Sequence, residues 1–181
     1  VCLASLNGEP ISRVIVVDNS DDAQYSAMLQ AVVDELRKTV NFEIMVLGNG
    51  VNLGFSRGVN FAIKADLESD NHHDAFFLLN NDAEISPRVV SSLISELDNA
   101  YDLDLVAPII LGASGRRQGM MWYHRFFGTQ SDNGGWGQFP FLSGCCLLVR
   151  ASVVRNGELF DPSFFMYGED VDWCMRLQLA G

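Results

Sequence analysis

Three carboxylates are clustered near the end of the sequence, where Glu169, Asp170 and Asp172 follow an aromatic run that Gly168 interrupts. The apolar residues around them predict that these acids open a short amphipathic helix. On such a helix Asp172 can pair with Arg176, four residues on, for about 0.2–0.5 kcal/mol. Asp170 lies about 200° around the helix from Asp172 and has no cation at that spacing. The pattern can therefore present a reactive carboxylate; the alternative is that all three acids only complement the helix dipole.

A second set of polar side chains comes directly after apolar runs that are typical of buried strands. These are Asp18 and Asn19, a glycine-rich loop over residues 48–54, and Asn80, Asn81 and Asp82. Ligands bind outside the carboxyl ends of the strands in open parallel sheets, so the sequence predicts that these loops form one binding edge. Asp82 can also be interpreted as a residue that only ends its strand and starts a turn.

Apolar runs alternate with helical periodicity along most of the chain. The predicted strands cover residues 13–17, 42–47, 75–79, 105–110 and 139–149. Helices are predicted after N-caps at residues 20–22, at Ser56 and at Ser86–Pro87, with a helical turn over residues 152–156. Because the strands are almost wholly apolar, this order predicts an α/β fold with a mainly parallel sheet and helices on both faces.

Length and charge limit the classes of protein. A chain of 181 residues fits a single domain with a sizeable core. The net charge of −11 argues against nucleic acid or an anionic membrane as the main partner. No apolar stretch approaches the roughly 20 residues of a membrane span, and no signal peptide opens the sequence. The four cysteines have no metal-ligand spacing, which is typical of reduced thiols in a soluble, cytoplasmic protein.

Residues 112–137 form a long segment rich in glycine, aromatic residues and arginine. Connections of this length are usually functional or mobile. The adjacent pair His72 and His73 is only a weak metal signal, because no further ligand accompanies it.

Several motifs, taken in order, resemble the GT-A glycosyltransferases of family 2, which transfer a sugar from a nucleoside diphosphate donor with inversion. The resemblance covers nearly the whole chain, and its last motif is most similar to the rhamnosyltransferase-type members. The motifs are residues 16–20, residues 52–55 with Gly58 and Asn60, residues 78–82, Ser143–Gly144, Phe160–Asp161, and residues 164–172 with Arg176.

The resemblance implies roles for the acids. Asp170 is the expected base that takes the proton of the acceptor hydroxyl, and its predicted freedom from an ion pair supports that choice over Asp172. Asp82 is the expected ligand of Mg²⁺ or Mn²⁺, an ion that neutralises the departing diphosphate. Where the family often has two aspartates around one residue, this chain has Asn80–Asn81–Asp82, so we expect poor metal affinity without donor.

The resemblance also implies where the substrates bind. The expected donor-binding residues are Asp18, which would contact the base or ribose, with Asn19, Asn52, Gly54, Arg57, Asn60, Asn80 and Asn81. The expected donor is a UDP- or dTDP-sugar. The expected acceptor is a saccharide or lipid-linked saccharide of bacterial polysaccharide or cell-wall synthesis, which allows a peripheral position at the cytoplasmic membrane face. Its candidate contacts are Trp122, Tyr123, Trp136 and Glu169, with Arg116 and Arg117 for an anionic group.

Compared with the family, the sequence begins at what resembles the helix after the first strand, and it ends where members continue. We therefore expect residues 1–181 to be one GT-A domain truncated at both ends, with little or no transferase activity.

Two other functions remain open from the sequence. Gly48, Gly50 and Gly54 follow a predicted strand, so an NAD(P)-dependent oxidoreductase is possible. That reading leaves the acidic helix unexplained, and Asp82 lies farther beyond Gly54 than the about 20 residues expected for a ribose-binding acid. The other alternative is a non-catalytic module that binds sugars through its aromatic loop.

Overall fold

The computed structural model describes residues 1–69 and 73–180. Five α-helices span Cys2–Ser5 (α1), Ala23–Leu36 (α2), Gly54–Leu67 (α3), Val89–Asn99 (α4) and Glu169–Ala180 (α5). Ten strands span Arg13–Asp18 (β1), Glu43–Gly48 (β2), Ala75–Leu79 (β3), Leu105–Val106 (β4), Ile110–Leu111 (β5), Arg117–Gln118 (β6), Met121–His124 (β7), Thr129–Ser131 (β8), Gln138–Phe141 (β9) and Cys146–Arg150 (β10). A 3₁₀ turn covers Ala151–Val153.

The first half alternates strands and helices as the sequence predicts. β1 and β2 pair in parallel, from Arg13 opposite Glu43 to Asp18 opposite Gly48. Between them, α2 begins where the side chain of Asp22 accepts a hydrogen bond from the N–H of Gln24 at 2.8 Å, as an N-cap does. This parallel pair brings the ends of β1 and β2 to one edge.

The second sheet is more antiparallel than the sequence predicts. β10 lies between β3 and β4 and pairs antiparallel with both. β3 and β4 therefore run in the same direction, as their connection through α4 requires, while β10 returns without a crossover helix. The α/β class is confirmed, but among the described residues the sheets are mixed rather than mainly parallel.

The core lies between β10, α3 and α5. Leu147 and Val149 of β10 are fully buried, and they share a cluster with Ile63 of α3 and Trp173 of α5. A separate cluster around Val33 packs α2 against β1 and β2. Burial thus anchors α5, and with it the three acids, to the centre of the molecule.

Several boundaries differ from the prediction. Ser56 does not cap α3, which begins at Gly54, and its side chain is fully buried. The N-cap of α4 is Arg88, in the left-handed region, in place of Ser86–Pro87. The carboxylate of Glu9, 5% exposed, accepts hydrogen bonds from the N–H groups of Arg88 and Ser91. A distant acid therefore caps this helix, which no local pattern indicates.

The two long apolar runs are each divided. Residues 105–110 contribute to β4 and β5, with Pro108 between them, because proline cannot donate to a strand ladder. Residues 139–149 supply β9 and β10, separated by a bend over residues 142–145. The segment 112–137 is not a loop, since it carries strands of a hairpin, β5–β6, and of an antiparallel sheet ordered β8–β7–β9.

The four cysteines are free, in agreement with the sequence. Burial raises the pKa of Cys146 to about 12 and that of Cys174 to about 11, so both thiols stay protonated. Within the described ranges, no helix has both the length and the apolar character to cross a membrane.

Candidate active site

The acidic helix forms as predicted, and in the part of the chain that the structure describes Asp170 has no salt bridge. Arg176 Nε lies 2.7 Å from Asp172 Oδ2, which is the expected ion pair four residues apart. Asp170 is half-buried, and its Oδ2 accepts a hydrogen bond from the backbone N–H of Gly144 at 3.2 Å. Its other oxygen accepts from the N–H of Val171 at 2.8 Å. Two main-chain donors thus orient this carboxylate.

The loop that carries Asp82 lies beside the same backbone. The N–H of Asn80 donates to the carbonyl of Cys145 at 2.9 Å, where β3 ends next to β10. Gly144 and Cys145 are adjacent, so one short stretch of main chain contacts the carboxylate of Asp170 on one side and the 80–82 loop on the other. The carboxylate of Asp170 and the main chain of Asn80, two residues before Asp82, are therefore both hydrogen-bonded to the Gly144–Cys145 backbone.

Asp82 is exposed, and among residues 1–69 and 73–180 its side chain has no hydrogen bond or ion pair. Burial raises the pKa of the nearby Cys2 thiol, and the carboxylates of Asp82 and Glu84 add to the increase. The Sγ of Cys2 donates to the carbonyl of Asn80 at 3.4 Å. An accessible carboxylate with a second acid nearby fits a Mg²⁺- or Mn²⁺-type site, which takes one or two protein carboxylates and completes its shell with phosphate oxygens and water.

The described residues contain no group of three or more His, Cys, Asp or Glu side chains able to hold a metal on its own. His72 lies outside the described residues. His73 Nε2 lies 3.3 Å from Asp66 Oδ1, and Asp66 also pairs with Arg13 at 3.0 Å, so this histidine borders the Arg13–Asp66 ion pair.

The glycine-rich loop over residues 48–54 is held by contacts with other parts of the protein. Gly54 has a φ of +75°, and a Cβ there would collide with the carbonyl of Phe165. That carbonyl accepts the N–H of Phe55 at 2.7 Å, and the side chain of Asn52 accepts the N–H of Gly54 at 2.9 Å. The close approach that Gly54 permits is thus made by the 164–168 loop, which leads into α5.

Asn19 ties the end of β1 to this loop. Its amide donates to the carbonyl of Gly54 at 3.0 Å and accepts from the N–H of Leu53 at 3.3 Å. Asp18, beside it, accepts from the N–H of Ser20 at 2.9 Å and from the hydroxyl of Ser26. The predicted donor-binding edge is therefore a continuous hydrogen-bonded structure that extends from β1 to α5.

Asn60 and Arg57 have partners inside the protein. The buried amide of Asn60 donates to the carbonyl of Phe160 at 2.7 Å and accepts the N–H groups of Leu159 and Phe160 at 2.9 and 3.1 Å. Arg57 Nε donates to the carbonyl of Pro162 at 2.8 Å. Both residues line a cavity of about 310 Å³ with Lys64 and Glu158. The structure thus shows Asn60 fastening α3 to residues 159–160.

Glu169 differs from its neighbour Asp170 in burial. It is 6% exposed, and within the described chain its Oε2 has no hydrogen-bond partner. Burial raises the pKa of Glu169, and the charge of Asp170 raises it further. Two adjacent carboxylates therefore have different environments, one buried and poorly solvated, the other held by backbone donors.

The aromatic residues predicted to contact the acceptor sugar differ in solvent exposure. Trp122 and Tyr123 are half-buried in β7, where Tyr123 stacks against Phe139 with ring centroids 5.6 Å apart. A Cβ at Gly134 would lie 2.7 Å from the indole of Trp122, so the backbone there covers the ring. Trp136 is 87% exposed. Trp122 and Tyr123 therefore pack within the sheet, whereas Trp136 is accessible to a ligand.

Sequence reasoning missed the main-chain groups of the site. The N–H of Gly144, the carbonyl of Cys145 and the carbonyl of Phe165 hold it together, and their contribution does not depend on side-chain type. Ser143–Gly144 had been noted only as a motif. Tyr167, 84% exposed with a φ of +70°, was also unforeseen; non-glycine residues in this region often mark functional sites.

Comparison with protein families gives a match to the model described as Glycosyl transferase family 2, over residues 1–157. The match includes β1 to β10 and both the 48–54 and 80–82 loops, and it ends before α5.

Curated relatives carry transferase names. The chain is 25% identical over 178 residues to the low-salt glycan biosynthesis hexosyltransferase Agl10 of Haloferax volcanii, covering 92% of this chain and 53% of that protein. It is 26% identical over 213 residues to the N-acetylglucosaminyl-diphospho-decaprenol L-rhamnosyltransferase of Mycobacterium tuberculosis, covering 99% and 66%. It is 46% identical over 41 residues to the rhamnosyltransferase WbbL of Escherichia coli, covering 23% and 16%. The chain therefore spans between about half and two thirds of the length of the first two relatives.

Proposed function

The chain belongs to glycosyl transferase family 2, and on this premise we propose that it transfers a sugar from a nucleoside diphosphate donor to an acceptor hydroxyl with inversion. The names of its relatives, a hexosyltransferase of glycan biosynthesis and two rhamnosyltransferases, support a role in polysaccharide or cell-wall glycan synthesis. The observation that supports the proposal is that Asp170 and the 80–82 loop are both hydrogen-bonded to the main chain of Gly144–Cys145.

Asp170 serves as the base in this proposal. Inversion requires a proton acceptor on the face of the donor sugar opposite the leaving group. The two backbone N–H groups that donate to Asp170 fix its carboxylate, and Arg176 is engaged by Asp172 instead. Asp170 is therefore free to take the proton of the acceptor hydroxyl as that oxygen attacks the anomeric carbon.

Asp82 holds a divalent cation together with the donor diphosphate. Mg²⁺ or Mn²⁺, when bound, neutralises the charge that develops on the departing nucleoside diphosphate. The unpaired, exposed carboxylate of Asp82 suits this role because no protein cation competes for it within the described residues. Asn80 and Asn81 place it at the carboxyl end of β3.

The donor, a UDP- or dTDP-sugar, binds along the edge from Asp18 to Gly54, since the asparagines of this edge hold its loops in fixed positions. The acceptor is a saccharide or a lipid-linked saccharide. It reaches Asp170 from the side of the 164–168 loop, where Tyr167 is exposed. Glu169, next to Asp170, is the proposed acidic contact of the acceptor.

The test compares Asp170→Asn with Asp172→Asn in purified protein that has measurable transfer activity. Each change removes one charge from the first turn of α5. If Asp170 is the base, Asp170→Asn lowers the rate of transfer by about 10²–10⁴-fold with donor binding retained, and Asp172→Asn lowers it far less. Equal effects of the two changes would contradict the assignment.

The oxidoreductase alternative is disfavoured by the capping of α3. A dinucleotide needs free N–H groups at this helix N-terminus, whereas those of Gly54 and Phe55 are already donated within the protein. A thermal-shift experiment separates the functions: stabilisation by UDP or dTDP with Mn²⁺ supports the transferase, and stabilisation by NAD(H) supports the oxidoreductase. Glycan binding that is independent of nucleotide and unaffected by Asp170→Asn would support a non-catalytic sugar-binding module.

A further inference from the structure

Residues 109–137 differ in charge from the rest of the chain. They contain three arginines, Arg116, Arg117 and Arg125, and one acid, Asp132, whereas the whole chain has a net charge of −11. Arg116 and Asp132 form an ion pair that joins the β5–β6 hairpin to the β8–β9 loop. Within the described residues Arg117 and Arg125 form no salt bridge and are exposed. The segment is therefore a positively charged part of an acidic protein.

The turn between β7 and β8 exposes two large aromatic side chains. Phe126 is 82% exposed and Phe127 75%. The turn is closed by a hydrogen bond of 2.9 Å from the N–H of Gly128 to the carbonyl of His124, so both rings are fixed at the end of a hairpin. Arg125 precedes them in the same turn.

A third aromatic side chain belongs to the same end of the sheet. The ring of buried His124 lies 4.6 Å from that of Phe127, and it also contacts Gly137, where a Cβ would lie 3.1 Å from Nε2. Trp136, which precedes Gly137, is 87% exposed. We call Arg125, Phe126, Phe127 and Trp136 the aromatic tip.

We propose that the aromatic tip docks the protein on the surface of an anionic phospholipid bilayer. Aromatic rings sit favourably at the depth of the headgroups, and arginines beside them are attracted to anionic lipids. A second copy of the chain would need a broad, complementary apolar face, whereas the tip is a turn and a loop that end a small sheet. This shape suits insertion into headgroups.

The acidic remainder of the protein does not prevent this contact. At physiological ionic strength charges are screened over about 8 Å, and the four residues of β7 alone span about 13 Å. Repulsion from acids beyond the base of the sheet is thus reduced, while Arg125 acts at close range. The overall negative charge then disfavours docking through other faces.

Docking at the tip would also fix the position of the active site. Gln178 of α5 donates to the carbonyl of Pro140 in β9 at 2.7 Å, which links the helix of Asp170 to the sheet that ends in the tip. The docked protein would therefore hold Asp170 at a set height above the lipid. The docking itself requires neither donor nor acceptor, so it goes beyond the proposed transfer.

The test is co-sedimentation with vesicles of phosphatidylcholine alone and with one quarter phosphatidylglycerol. The wild-type protein should bind the anionic vesicles, and binding should weaken in high salt. The double variant Phe126→Ser/Phe127→Ser should bind at least about tenfold more weakly, because losing the burial of even one phenylalanine ring lowers the affinity by roughly that factor. The matched control Tyr25→Ser/Tyr101→Ser removes two aromatic rings outside the aromatic tip, which are 65% and 93% exposed. This control variant should bind like wild type.

Two further measurements complete the test. Arg125→Glu, which retains the rings, should also weaken binding to anionic vesicles. Fluorescence of Trp136 should shift to shorter wavelength on binding, and Trp136→Phe should abolish the shift. Absence of binding to anionic vesicles, equal loss in both double variants, or self-association that depends on Phe126 and Phe127 would overturn the proposal. Nucleotide binding should be the same in all variants, so failure here is distinct from failure of the transferase assignment.

Discussion

The edge around Asp170 and the β5–β9 segment are held together in different ways. At the edge, loops that are distant in sequence are joined through the main-chain groups of Gly54, Gly144, Cys145 and Phe165. In the segment, short strands pair with neighbours in sequence, and the ion pair between Arg116 and Asp132 is exposed to solvent. The comparison indicates that one region has a geometry fixed by long-range main-chain contacts, while the other presents side chains to solvent.

The largest loss of stability should come from Gly54→Ala, at the centre of the fixed edge. The change adds a collision with the carbonyl of Phe165 to the strain of a positive φ, for a total of about 2–5 kcal/mol in the free energy of unfolding. Gly50→Ala is the matched control: its φ is +72°, but a Cβ there meets nothing within 4 Å. Equal losses in urea denaturation would show that the packing against Phe165 contributes little.

Asn60→Ala should cost a comparable amount. It leaves the buried N–H groups of Leu159 and Phe160 without their acceptor, at about 1–3 kcal/mol for each unsatisfied group. Asn52→Ala, which removes a single contact in a loop, should cost about 1 kcal/mol. Thermal denaturation of the two variants measures the difference; a smaller loss for Asn60→Ala would contradict its role as a fastener of α3.

Glu169→Gln should change the pH dependence of stability. Burial raises the pKa of Glu169 above its ordinary value of 4.5. At pH values between 4.5 and this raised pKa, the folded chain therefore holds more protons than the unfolded chain. The free energy of unfolding then falls as pH rises through this window. Glutamine cannot titrate, so the variant should gain stability relative to wild type at neutral pH and lose that advantage below pH 4.5. Urea denaturation across this range would show a constant difference if Glu169 were solvated.

The smallest effect should come from Arg116→Ala in the outward segment. Its ion pair with Asp132 is exposed on both sides, and such pairs contribute about 0–1 kcal/mol. Calorimetry should therefore find little change in the unfolding free energy. A loss comparable with that of Asn60→Ala would mean that the segment is as tightly integrated as the edge around Asp170.

The sequence predicted the elements whose patterns are local. Strand β3 was placed at its observed bounds, α2 begins after the predicted cap at Asp22, and the pair of Asp172 with Arg176 follows from helical spacing alone. The α/β class and the family also followed from the sequence, because alternating elements and ordered motifs are local features as well.

Features that depend on distant residues could not be predicted. The insertion of β10 between β3 and β4 is decided by tertiary pairing, and the capping of α4 by Glu9 joins residues about 80 positions apart. Residues 112–137 were interpreted as a loop because strands of two to four residues are too short to give a clear alternation.

The contacts at Gly144–Cys145 bear on how this site could be engineered. An amide N–H is available from every amino acid but proline, and a carbonyl from all of them. A Cβ at Gly144 would meet only ordinary contacts of 3.5–3.6 Å. Libraries that randomise this dipeptide, with proline omitted at its first position, should thus change the side chains there while the main-chain hydrogen bonds to Asp170 and Asn80 are preserved.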